Sequence, residues 1–94
     1  MKRWMVRARY AEANANDYFR EHYGFKDGQW LYLKNLSFTD KESATLHRTI
    51  GAAKGKLTGA RHMAVERNYS LPVDIGTAEI VEIKIVIPGD DNEN

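Results

Sequence analysis

Lys2-Arg3-Trp4-Met5-Val6-Arg7-Ala8-Arg9-Tyr10 opens the chain on an unbroken alternation. Trp4, Val6, Ala8 and Tyr10 fall on one side, and Arg3, Met5, Arg7 and Arg9 on the other. Period-two alternation over this length specifies a strand with one buried face. Side chains two apart on a strand share a face, so the three guanidinium groups form a row. The apolar side needs a covering layer, and the rest of the chain must supply it.

Two helical segments answer that need. Ala11 to Tyr23 is alanine-rich and ends at Gly24. It reads as a helix capped by Asn14, burying Ala15, Tyr18, Phe19 and His22 or Tyr23, with Gly24 as the left-handed cap residue. Farther on, Thr39-Asp40-Lys41-Glu42 matches a capping box. Leu46, Ile50, Ala53, Leu57, Ala60 and Ala64 then recur at alternating spacings of four and three, which predicts a continuous helix over about 40–67. Pro72 biases Leu71 away from that helix.

Two further strands complete the pattern. Asp27-Gly28 signals a turn, and Trp30 to Phe38 follows it as a strand. Tyr23 to Phe25 is a candidate partner for it across the turn. Thr77 to Ile87 is the clearest strand, with Val81, Ile83, Ile85 and Ile87 on one face. The expected fold is therefore α+β, a two-layer sandwich with three or four strands and two helices on one face. With the short hairpin present, the order is β-α-β-β-α-β, the split β-α-β pattern of ferredoxin-like domains. Residues 1–88 read as one domain and residues 89–94 as a disordered acidic tail.

Ninety-four residues with 43% hydrophobic and 29% charged side chains describe an ordinary globular chain. There is no cysteine, which removes disulfide frameworks and thiolate metal sites and fits a reducing, cytoplasmic setting. Arg7 and Arg9 interrupt any signal-peptide run, and no apolar stretch is long enough to span a membrane. The net charge of +1 conceals a segregation of sign. Residues 1–10 hold only bases, and residues 45–70 are basic except for Glu66. Residues 71–94 carry Asp74, Glu79, Glu82, Asp90, Asp91 and Glu93 against Lys84.

Catalytic, cofactor and metal motifs are not found. Gly51-Ala52-Ala53-Lys54-Gly55-Lys56-Leu57 has glycines one residue too close for a phosphate loop and Leu57 where a hydroxyl must bind magnesium. Its glycines, with Gly59, repeat every fourth residue. Three interior glycines cost roughly 3 kcal/mol against alanine, so either close packing or a break near Gly55–Gly59 is expected. His22, His47 and His62 have no metal-binding spacing and read as surface or half-buried residues.

The expected chemistry is recognition. If Leu31 and Leu33 fill the core, Trp30, Tyr32 and Lys34 join Arg3, Met5, Arg7 and Arg9 on an open sheet face. Arg48, Lys54, Lys56 and Arg61 add a basic helix surface. Arginines, aromatics and Met are enriched at protein interfaces. Ion pairs from Arg7 and Arg9 to Glu79 or Glu82, and apolar contributions from Met5, Ile80 and Val86, suit a covered face. The reading is a non-enzymatic module binding a protein partner or a second copy of itself, in the form of an inhibitor or adaptor of a nucleic-acid-handling complex. Single-stranded nucleic acid, stacking on the aromatics and pairing with the bases, is the alternative. An enzyme whose site assembles only in space ranks third.

Overall fold

The computed structural model describes residues 1–35, 37–67 and 71–85. The elements are β1 (Lys2–Tyr10), α1 (Asp17–His22), β2 (Trp30–Lys34), β3 (Ser37–Thr39), α2 (Ile50–Val65) and β4 (Val73–Lys84). Short 3₁₀ turns occupy Glu12–Asn14 and Lys41–Ser43. One sheet runs β3-β2-β1-β4 with every pair antiparallel. The α+β two-layer expectation is met. The ferredoxin-like expectation holds for the order of elements only, since a split β-α-β unit needs parallel strands and β1 pairs antiparallel with β2.

The alternation in β1 does what it predicts. Val6, Ala8 and Tyr10 are buried on one face with Leu31, Leu33 and Phe38, beneath Ala53, Leu57 and Ala60 of α2. Leu71, Val73 and Ala78 close the same core. The shorter α1 lies on this face too: Phe19 stacks on Tyr10 with centroids 5.9 Å apart, and Phe25 packs against both.

Four expected elements are corrected. The first helix is only Asp17–His22, capped by the Asn16 side chain, which accepts from the Phe19 amide at 2.8 Å. Asn14 belongs to the preceding turn, and the helix ends at Tyr23 in an extended conformation. Only Gly28 among the described glycines has positive φ, at 84°. Of the residues expected to be buried, Ala15 is buried but lies before the helix, Phe19 is half-buried, and Tyr18, His22 and Tyr23 are exposed. Tyr23 to Phe25 forms no strand.

The second correction lies inside the predicted strand 30–38. The chain turns at Asn35 (φ 54°), and β2 pairs back with β3 so that Leu33 faces Phe38. A continuous strand with Leu31 and Leu33 inward would have pointed Phe38 outward. Reversing the chain changes its parity and brings the ring into the core. Asn tolerates the left-handed backbone this needs.

The third concerns α2, which starts at Ile50 rather than near residue 40. The capping-box expectation fails: Asp40, not Thr39, accepts from the Ser43 amide, and it caps only a 3₁₀ turn. Residues 45–49 form no helix, and His47 makes an isolated antiparallel bridge to Trp4 instead. Where β2 has turned away, the Trp4 backbone faces the sheet's open side and needs partners. His47 supplies both, by hydrogen bonds of 2.9 and 2.8 Å, and the Thr45 amide donates to Leu33 O. Thr49 then caps α2 at Ala52. Leu46 and Ile50, expected in the buried stripe, are 44% and 46% exposed. The helix runs unbroken past Gly55 and Gly59.

Finally, β4 begins at Val73, earlier than predicted, and carries a register irregularity opposite Arg7 to Arg9. Its expected end at Ile87, Val86 and the acidic tail lie outside the described residues.

Candidate interaction face

The face of the sheet away from both helices carries the arginine row. Register sets Tyr32 opposite Arg7 and Trp30 opposite Arg9 on β2. On β4 it sets Glu79 opposite Arg7, Val81 opposite Met5 and Ile83 opposite Arg3. Ile80, assigned to this face from sequence, instead lies opposite Val6 on the helix side, because residues directly across an antiparallel pair share a face. Lys34, at the end of β2, completes the outer set from sequence.

These side chains cover one another. The guanidinium carbons of Arg7 and Arg9 lie 4.0 and 3.8 Å from the Trp30 ring centroid. Both guanidinium groups are therefore in cation–π contact with the same indole. Each contact is worth about 0.5–1 kcal/mol at such a site. Arg7 Nε donates to Glu79 Oε1 at 2.7 Å. Burial draws the Arg7 guanidinium toward neutrality, but hydrogen bonds to Tyr32 and Glu79 and the Glu79 charge outweigh it, so its pKa is raised. Arg9 Nη1 donates to Gly28 O at 3.0 Å, and its amide donates to Thr77 Oγ1 at 2.8 Å. The Asp27-Gly28 turn is thereby tied to the arginine row.

Under this canopy, Met5 is 2% and Tyr32 9% exposed, although neither belongs to the core between the layers. The long aliphatic stems of arginine cover apolar surface while their heads stay wet. Arg3 and Arg9 enter no ion pair among the described residues. The Arg3 guanidinium donates to Lys2 O at 2.8 Å.

The helix bases do not join this face. Lys54, Lys56 and Arg61 sit on α2, and Arg48 lies just before its cap, so all four occupy the opposite layer. Arg61 turns back to donate to Ala78 O at 3.4 Å. The eleven residues singled out from sequence thus divide into seven on the sheet face and four across the molecule.

One notable residue escaped the sequence reading. His47, expected as a surface or half-buried residue, is only 7% exposed, and its Nε2 has no hydrogen-bond partner among the described residues. Burial, and secondarily the charge of Lys56, lowers its pKa. The signal that could have found it is the unfilled sheet position beside Trp4. Among the described residues, no three His, Asp or Glu side chains gather as a metal site, and no helix is long and apolar enough to cross a membrane. Comparison with protein-family models, curated proteins and solved structures gives no match.

Proposed function

We propose that this chain is a small non-enzymatic module that binds a protein partner, or a second copy of itself, through the outer face of its sheet. The single observation carrying this is the Arg7–Trp30–Arg9 stack. Its rotamers are already held by ring contacts, by Glu79 and by Gly28 O, so a partner meets a surface whose ordering entropy is largely spent before contact. Arg3 and Arg9, without carboxylate partners among the described residues, favour a partner with acidic groups. A role as inhibitor or adaptor in a nucleic-acid-handling complex, within the cytoplasm, is the finer form of the same reading. It rests on the segregation of charge and the lack of cysteine.

The same stack weighs against single-stranded nucleic acid. A base would have to stack on Trp30 or Tyr32, yet two guanidinium groups already lie against the indole and Tyr32 is buried.

Capture from a lysate of the native host tests the proposal. Wild-type protein and Lys54→Glu, altered on the opposite layer, should retain the same partner, while Arg9→Glu and Trp30→Ala should lose it. Loss with Lys54→Glu but not with Arg9→Glu would move the interface to the helix layer. Light scattering distinguishes self-association. Steeply salt-dependent binding of a labelled single strand, abolished by Arg9→Glu, would replace the protein reading with the nucleic-acid one.

A further inference from the structure

Three features meet on the other side of the molecule, the first two left unexplained by the chain's own packing. The first is the glycine edge of α2. A Cβ built at Gly55 or Gly59 meets nothing within 4 Å, so close packing, the expected reason for these glycines, is not the reason. The second is His47, 93% buried by its 7% exposure, whose Nε2 lacks a partner among the described residues. Buried ring nitrogens are normally satisfied, and leaving one orphaned is unfavourable. The third is Asn35, held at φ 54° where β2 turns.

Two adjoining cavities connect them. One of about 320 Å³ runs along Gly55 and Gly59, floored by Leu33, Ala60 and Leu71. The second, of about 230 Å³, lies among Leu33, Asn35, Thr45, His47 and Lys56. They share Leu33, Asn35 and Lys56. The first is mainly apolar, and the second presents an amide, a hydroxyl, an imidazole and an ammonium group. Arg67 and His62 edge the first cavity, and no carboxylate among the described residues lines either one.

We infer that this groove binds a small organic carboxylate with an apolar body. The carboxylate sits among His47, Asn35, Thr45 and Lys56, and the hydrocarbon lies along the bare helix backbone at Gly55 and Gly59. The chemistry of each part matches its lining. Lys56 supplies the opposing charge, and the neutral imidazole of His47, in the tautomer protonated on Nε2, can donate one hydrogen bond. Any side chain on the glycine edge would fill the apolar part, so the site requires residues that a helix otherwise disfavours. The site lies across the sheet from the interaction face and stands independently of it.

Titration of ¹⁵N-labelled full-length protein with sodium octanoate, followed by amide shifts, tests the inference. Shifts should concentrate at His47, Gly55, Lys56 and Gly59, with half-saturation on the order of 1 mM for so small a ligand. Inorganic phosphate, which offers charge without an apolar body, should shift these amides at least tenfold more weakly. Lys56→Glu should abolish the octanoate response. Gly59→Leu is the sharper variant, because the Cβ it adds meets nothing within 4 Å and leucine favours the helix. It should melt at the same or a higher temperature than the wild type, yet not respond to octanoate. No localised shift in the wild type, an equal response to phosphate, or an unchanged response in Gly59→Leu would each overturn the inference.

Discussion

The two faces of the sheet solve the same problem in opposite ways. Among the described residues no helix or strand covers the outer face, yet Met5 and Tyr32 are buried there and the arginines beside them are held by Glu79, Trp30 and Gly28 O. The inner face has a covering helix, yet that helix leaves a groove where its glycines and the buried His47 find no partners. Coverage and satisfaction are therefore separate properties. Flexible arginines can wrap a surface without a second layer, whereas a rigid helix covers only what its side chains reach.

The largest measurable effect should come from the boundary between the layers. Phe38→Ala removes a fully buried ring and should cost about 3–5 kcal/mol in urea unfolding. Met5→Ala then asks whether the canopy is a true interior. A loss of about 2 kcal/mol or more would place Met5 with the core residues, and a loss within about 0.5 kcal/mol would equate it with an open surface and break the comparison. A double-mutant cycle on Arg7 and Glu79 should give a smaller coupling, about 0.5–1 kcal/mol and reduced by added salt, because neither side chain is fully buried.

Gly55→Ala should act in the other direction, stabilising by about 0.5–1 kcal/mol because the new methyl meets open space and the helix gains propensity. The smallest effect should be a pH slope. Burial lowers the His47 pKa in the folded state, so below about pH 6.5 the unfolded chain binds the proton first and stability declines as pH falls. His47→Gln should flatten that part of the stability profile. An unchanged slope would mean that the imidazole is not held neutral. Asp40, whose pKa is lowered mainly by hydrogen bonds from Ser43 and Thr39 acting against its own desolvation, contributes in the same direction only at more acidic pH, near and below its ordinary 3.8.

Much of the architecture was legible from local pattern. The parity of β1 predicted which residues enter the core, the Asp27-Gly28 turn formed at a glycine of positive φ, and the Arg7–Glu79 pair was foreseen as one of four combinations. What misled was the reading of continuous stretches. Trp30 to Phe38 looked like one strand because Asn35, though a residue that tolerates turns, stands without a neighbouring Gly or Pro to mark a reversal. The stripe from Leu46 to Ala64 looked like one helix because its periodicity extends beyond the helix itself.

Period and parity are properties of consecutive residues, so the sequence by itself determined the first strand's two faces, the last strand, the interior of α2 and the two-layer class. The tertiary structure decided where those patterns stop. Trp4 exposes a peptide N–H and C=O at a position that β2 has abandoned, and satisfying them draws His47 into a bridge beside β1 at the expense of a longer helix. A hydrogen bond between residues 4 and 47 is invisible to any local window. Its consequence is a buried histidine beside a glycine-edged groove, assembled from segments that only the folded chain brings together.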